Sequence, residues 1–305
     1  MTHAPSVHTP VLLAEVLDWL QPREGSVIVD GTLGGGGHTR ALAERVGKSG
    51  RVISLDRDAA AIQRAQETLA DLPVTTVQAN FCNLPEVLET LDLEKVDGVV
   101  LDLGLSSDQL ADDSRGFSFA ADGPLDLRFD TERGEPASRL VNRLQAEHLA
   151  DLIYAYGEER HSRRIARAIV ERRRNRPIET AGQLAEIVRR AIPGPRKKGQ
   201  IDPATRTFQA LRIAVNEELK SLEIALRRIP DCLKVDGRLG IISFHSLEDR
   251  RVKEAFRDDS RLEALTRKPI RPGEGECEVN PRSRSAKFRV ARRAESEDDT
   301  RSVNP

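Results

Sequence analysis

The run Val27-Ile28-Val29-Asp30-Gly31-Thr32-Leu33-Gly34-Gly35-Gly36-Gly37-His38 passes from apolar β-branched residues into glycines, and Thr39-Arg40-Ala41-Leu42-Ala43-Glu44 follows with a helical pattern. It predicts a strand, a tight turn and a helix start. Glycines there accept positive φ and let a ligand approach the backbone, while the helix N-terminus beyond them offers unpaired N–H groups. A nucleotide-type cofactor is the first candidate. The dinucleotide fingerprint G-x-G-x-x-G/A fails in every register, since Gly34-x-Gly36 runs on to Thr39 and Gly35-x-Gly37 to Arg40; no Gly-Lys-Ser/Thr marks a P-loop. Asp56 closes the next apolar run, Val52-Ile53-Ser54-Leu55. An acid roughly 20 residues after the glycines is placed to bind ribose hydroxyls. A glycine loop and a ribose acid without a pyrophosphate cradle suggest an adenosine cofactor lacking phosphate, and S-adenosylmethionine fits. The alternative is a plain βα turn with a surface aspartate.

Outward from this stretch, strands and helices alternate: strands at 27–31, 51–56, 74–79 and 96–103, helices at 38–47, 58–70 and 84–91. Such an order predicts an α/β fold with a parallel, doubly wound sheet, because each parallel return needs a crossover helix. Ligands bind at the carboxyl ends of such strands. Asp30 to His38, Asp56, the Asn80-Phe81 end and Asp102-Leu103-Gly104 all fall there. Upstream, His8 to Leu20 reads as a helix with Thr9 as N-cap and Pro10 in the first turn.

After Asp102 the alternation stops. A loop from Ser106 to Asp130 is rich in Gly, Asp and Ser yet holds Phe117, Phe119 and Phe129, a combination expected of a functional loop. Helical patterns follow at 147–156, 159–174 and 180–191, read as a small helical domain inserted into the sheet domain. Asp202-Pro203 then opens a long helix whose stripe runs Phe208, Leu211, Val215, Leu219, Leu222, Leu226, Ile229. A strand at 237–244, a helix from Ser246 and a final strand at 286–291 complete the sheet domain, and the acidic tail is expected to be disordered. The expected boundaries are 1–110 with 200–305 for the sheet domain and 111–199 for the insert.

The 305 residues carry 38% hydrophobic and 32% charged side chains, as a soluble globular protein does, and no apolar run approaches the roughly 18 residues that span a bilayer. Without a signal-peptide pattern at the N-terminus, the cytoplasm is the expected location. Cys82, Cys232 and Cys277 lie far apart and outside any C-x-x-C, which supports neither a disulfide framework nor a metal site. The net charge of −1 hides an uneven distribution. Gly157 to Lys198 holds 13 Arg/Lys against 5 Glu, a net of +8 that leaves about −9 elsewhere. A polyanion met at one face is the implied partner.

Three constellations bear on chemistry. Asp102 ends the fourth strand, where an adenosyl-cofactor enzyme presents its methyl group, so a carboxylate or backbone carbonyl there can hold a substrate amine; a turn cap is the alternative. Ser243, His245 and Ser246 suggest a hydrolase, but no Gly-x-Ser-x-Gly elbow is present and Ser246-x-x-Asp249 reads as a helix cap. Arg160, Arg163, Arg164, Arg167, Arg172, Arg173, Arg174 and Arg176, with Arg196-Lys197-Lys198, suit phosphate binding or, equally, a solvated face paired with Glu158, Glu159 and Glu171.

With these residues collected, the chain resembles the bacterial 16S ribosomal RNA cytosine-N(4) methyltransferase family (RsmH/MraW) almost end to end. The resemblance is carried by His8-Thr9-Pro10-Val11-Leu12-Leu13, Asp30-Gly31-Thr32 through Gly36-Gly37-His38, Leu55-Asp56-Arg57-Asp58, Leu101-Asp102-Leu103-Gly104 and Arg115-Gly116-Phe117-Ser118-Phe119. Further stretches are Asp122-Gly123-Pro124-Leu125-Asp126, Tyr156-Gly157-Glu158-Glu159-Arg160, Arg164 to Val170, Pro203 to Arg212 and Ser243 to Arg250. It implies a class I (Rossmann-like) methyltransferase sheet with an inserted all-helical substrate domain. It also implies S-adenosylmethionine-dependent methylation of the exocyclic amine of a cytidine in the decoding centre, within the small ribosomal subunit or its precursor. Cofactor contacts then fall on Gly36, Gly37, His38, Asp56, Phe81, Asp102 and Gln109. RNA contacts are expected at Phe117, Phe119, Arg164, Arg167, Arg196, Lys197, Lys198 and His245, catalysis at Asp102, and no metal or membrane is involved. The chain departs from the family at Gly35, where Arg is frequent, and at Ala214, where an aromatic is common. A nicotinamide oxidoreductase is disfavoured by the failed fingerprint. A purely RNA-binding assembly protein is disfavoured because the glycine loop, Asp56 and Asp102 occur together.

Overall fold

The computed structural model describes residues 10–118, 122–192 and 202–295. Its elements run α1 (Leu13–Leu20), β1 (Val27–Asp30), α2 (Gly37–Val46), β2 (Arg51–Asp56), α3 (Ala59–Thr68), β3 (Val74–Gln78), α4 (Leu84–Thr90) and β4 (Val96–Asp102). They continue with α5 (Ser107–Ala111), α6 (Ala137–Arg143), α7 (Ala146–Gly157), α8 (Ser162–Asn175), α9 (Ala181–Ala191), α10 (Ala204–Asn216) and α11 (Glu218–Cys232). The last are β5 (Leu233–Ser243), α12 (Ser246–Asp258), β6 (Leu262–Ala264), α13 (Glu274–Val279) and β7 (Lys287–Arg293). Two compact units result, one reaching Ser106 and resuming at Leu219, the other from Ser107 to Glu218.

In the first unit the seven strands form one sheet in the order β3-β2-β1-β4-β5-β7-β6. β1 to β5 pair in parallel, and β7 runs antiparallel to both β5 and β6. Successive strand residues face opposite sides, so Ile28, Val52, Val100 and Ile242 join one core with α1 and α2. Val29, Ile53, Val99, Leu101 and Ile241 join the other, with α4, α11 and α12. Apolar on both faces, these runs need helices on both sides. Each fully buried Leu or Ile stabilises the fold by roughly 1.5–3 kcal/mol.

The first helix begins later than Pro10. Leu12 takes a left-handed conformation with φ 54° and precedes α1 without a side-chain cap; Thr9 lies outside the described residues. The long helix expected from Asp202 is two helices, because Glu217 adopts φ 50° between α10 and α11. Asn216, 2% exposed, binds the Leu127 carbonyl through Nδ2 at 2.7 Å and accepts the Phe129 N–H at 2.7 Å. These bonds commit α10 to the helical unit, whereas the sequence placed residues 200–218 with the sheet. The apolar stripe keeps its spacing across the break, so periodicity gave no sign of it. β6, three residues long, and α6, seven residues long, were also not anticipated.

In the second unit the glycine- and aspartate-rich loop is folded on itself. Phe117 stacks on Phe129 with ring centroids 5.7 Å apart, and the Arg115 guanidinium lies 5.8 Å from the Phe117 ring. Arg115 also donates to the carbonyls of Arg128 and Phe129 at 2.9 and 2.8 Å. α9 begins with a capping box between Thr180 and Gln183. No helix among the described residues is long and apolar enough to cross a membrane, and all three cysteines are free.

Candidate active site

The carboxyl ends of four neighbouring strands, β3, β2, β1 and β4, present Phe81, Asp56, the glycine loop and Asp102 along one edge of the first unit. Asp30, 1% exposed, anchors the loop. Its carboxylate accepts the Thr32 N–H at 3.1 Å and the Thr39 hydroxyl at 2.7 Å, and Thr39 in turn meets Ser54 Oγ at 2.8 Å. The Thr32 hydroxyl accepts the backbone N–H of Asp102 at 2.6 Å, which ties the ends of β1 and β4 together. Sequence reading did not single out Thr32, Thr39 or Ser54; the Asp30-x-Thr32 spacing of an Asx turn was the available signal.

Glycine is required at two kinds of position here. A Cβ on Gly31 would stand 2.3 Å from Leu101 Cδ2 and 3.0 Å from Phe81 Cβ, whereas Gly34 and Gly36 need their freedom for φ 50° and 79°. Gly36 caps α2 with no side-chain hydrogen bond, so the first N–H groups of that helix are left to a ligand or solvent. Asp56 closes the loop from the other side. Its Oδ2 accepts the Gly34 N–H and its Oδ1 the Asp58 N–H, both at 2.9 Å. Burial pushes its carboxyl up to about 6, against the pull of these two N–H groups, and Asp58 and Asp30 add to the rise. Each oxygen still has a lone pair to give.

Asp102 sits beside buried His38. The His38 Nε2 lies 3.0 Å from the Val11 carbonyl, and Nδ1 lies 3.9 Å from Asp102 Oδ2. Burial pushes the Asp102 carboxyl up to about 6; His38 and the Gly104 N–H oppose this, while Asp30 and Glu248 reinforce it. The next residues bring in an aromatic ring, for a Cβ on Gly104 would meet Phe244 Cε2 at 2.7 Å. His245, not Ser246, caps α12. Its Nδ1 accepts the Glu248 N–H at 3.4 Å while Glu248 Oε2 accepts the Phe244 and His245 N–H groups. His245 Nε2 lies 3.1 Å from Glu248 Oε1 without the geometry of a hydrogen bond.

The structure therefore gathers Gly36, Gly37, His38, Asp56, Phe81 and Asp102 in the sheet unit, with His245 on its α12. Gln109, Phe117, Arg164 and Arg167 belong to the helical unit. Gln109 is buried on α5, and Phe117 is 5% exposed with one ring face on Phe129, so it is built into the loop rather than open to a base. Arg163, Arg164 and Arg167 project from α8 opposite its buried Ile165, Ala166 and Ile169, exposed and without an ion pair among the described residues. Others are engaged: Arg174 with Glu171, Arg190 with Glu186, and Arg189 with Asp202. Phe119 and Arg196-Lys197-Lys198 lie outside the described residues.

A glycine-lined turn, an uncapped helix start and a carboxylate with spare lone pairs fit a ligand bearing hydroxyls and no phosphate. Together with a seven-stranded sheet in which β7 alone is reversed, they define a class I, S-adenosylmethionine-dependent methyltransferase. Residues 5–294 match the model of the MraW methylase family, and the chain belongs to that family. It is 50% identical over 303 residues to ribosomal RNA small subunit methyltransferase H of Rhodopirellula baltica, an alignment covering 96% of this chain and 93% of that protein. The namesake from Magnetococcus marinus is 47% identical over 310 residues, covering 94% and 98%, and that from Deinococcus deserti 50% over 288 residues, covering 94% and 93%.

Proposed function

We propose that this protein methylates the exocyclic amine of a cytidine in the decoding centre of 16S ribosomal RNA, in the small subunit or its precursor, with S-adenosylmethionine as donor. The observation that carries this reading is Asp102, a carboxylate at the end of β4 beside the glycine loop, fixed through its backbone by Thr32. The names of the relatives and the family resemblance of the sequence support the RNA and the base.

When bound, the cofactor supplies a methyl group already activated on a sulfonium. The chain's residues must then aim a poor nucleophile, since the cytosine amine lone pair is delocalised into the ring. Asp56 takes the ribose hydroxyls, Gly36, Gly37 and His38 lie along the loop, and Phe81 completes the cofactor contacts of the sheet unit. Asp102 accepts the amino hydrogens, which favours pyramidal nitrogen and stabilises its developing positive charge. With Phe117 committed to Phe129, the partly exposed Phe244 beside Gly104 is the ring placed to hold an unstacked base. Arg163, Arg164 and Arg167, with Arg196, Lys197 and Lys198, take backbone phosphates, and His245 lies at the edge of the site.

Nucleoside mass spectrometry of ribosomal RNA from cells with and without the gene tests this directly. N(4)-methylcytidine should vanish from the 16S molecule on deletion and return on complementation. Loss of a different methylated nucleoside would overturn the choice of base.

A further inference from the structure

Behind Asp102 stands a chain of contacts that neither cofactor binding nor the fold of the loop explains. Glu276 on α13 accepts the backbone N–H of Leu12 at 2.9 Å, across 264 residues of sequence. Leu12 is the residue held at φ 54°, and the carbonyl immediately before it, that of Val11, faces His38 Nε2 at 3.0 Å. A carbonyl only accepts, so Nε2 carries the proton. The other nitrogen, Nδ1, is thereby turned to Asp102 Oδ2 at 3.9 Å, with His38 5% exposed and unable to swing into solvent.

We infer that His38 is a positioning residue for Asp102: the Val11 carbonyl, in a turn pinned by Glu276, fixes the imidazole so that Nδ1 faces the carboxylate and acts on it electrostatically. At 3.9 Å the two side chains lie within ion-pair reach and beyond hydrogen-bond length, so the influence of His38 on Asp102 is electrostatic. Asp102 otherwise faces like charge, from Asp30 on β1 and Glu248 on α12, while the Gly104 N–H at 3.4 Å joins His38 in favouring the carboxylate. The purpose assigned here rests on the proposed role of Asp102 at the amine, whereas the pairing itself does not.

The test separates the two. The Asp102 carboxyl is followed by carbon-13 NMR as pH is varied in the full-length protein, its signal assigned by its loss in Asp102→Asn. His38→Gln keeps an N–H for the Val11 carbonyl and removes the nitrogen that faces Asp102, so the carboxyl midpoint should rise by about one unit. Glu276→Ala, at a half-buried surface position, should raise it by less, and Glu276→Gln, which retains an acceptor oxygen, should restore the parent midpoint. The Glu276 pair also keeps the test open should His38→Gln fail to fold. Midpoints in His38→Gln and Glu276→Ala that coincide with the parent's would overturn the inference. The acid limb of the single-turnover methylation profile should move with the NMR midpoint. A moved midpoint with an unmoved rate profile supports the pairing and removes Asp102 from the amine.

Discussion

The Oδ2 of Asp56 holds the Gly34 N–H at 2.9 Å, so the acid that ends β2 and the glycine loop that follows β1 are one construction. A ligand that hydrogen-bonds to Asp56 therefore meets a carboxylate whose direction is already set by Gly34 and Asp58. Asp56→Ala should weaken S-adenosylmethionine binding by about tenfold or more in calorimetry, since hydrogen bonds to a charged group contribute roughly 1.5–3 kcal/mol each. Unchanged affinity would take the ribose away from Asp56.

Asp102→Asn keeps the shape and removes the charge. The single-turnover rate at saturating cofactor and RNA should fall by roughly 100-fold, the scale of removing one interaction made in the transition state. A rate within about threefold of the parent would assign positioning to the backbone.

The same substitution should make the ligand-free protein more stable. The Asp102 carboxyl is raised to about 6 from 3.8, so the native state binds more protons than the unfolded chain between those values. Stability from this group is full below 3.8 and is lost as pH rises through about 6. Asp102→Asn should therefore melt higher than the parent at pH 8, by roughly 3 °C, with the gain shrinking to nothing toward pH 4. A constant difference across that range would show that burial does not penalise the ionised carboxylate.

On α8, replacing Arg163, Arg164 and Arg167 together by alanine should lower RNA affinity and flatten its dependence on salt by about one unit of slope for each phosphate no longer neutralised. Arg174→Ala, which removes a cation already paired with Glu171 at 2.9 Å, should change the slope less. Equal slopes for the triple variant and the parent would move the RNA surface elsewhere. The same titration applies to alanine variants of Arg196, Lys197 and Lys198.

Gly31→Ala should destabilise the protein by about 1–3 kcal/mol in chemical denaturation, as overpacking a filled interior does. The added carbon would strike Leu101, which is fully buried and has nowhere to go. A wild-type midpoint would mean that β1 and β4 can part at that point.

The succession of β1 to β4 along the chain, their crossover helices and the placing of Asp30, Asp56 and Asp102 at the strand ends were legible in the sequence. Local patterns suffice there, because short β-branched apolar runs flanked by glycine and alternating with helical patterns favour buried parallel strands. The break at Glu217 was not legible, since no glycine or proline marks it and the apolar stripe continues unchanged across it. Long-range partners decided it: Asn216 is claimed by Leu127 and Phe129, 89 and 87 residues away in sequence. The cap on α12 shifted from Ser246 to His245 for a similar reason, because Glu248 reaches back to the Phe244 and His245 N–H groups. Phe117 looked like a stacking platform until Phe129 took one of its faces. What the sequence by itself determined was the architecture and the chemical types at the site. Only the tertiary structure decided which groups remain open to a ligand, because a side chain's availability depends on neighbours that are distant in sequence.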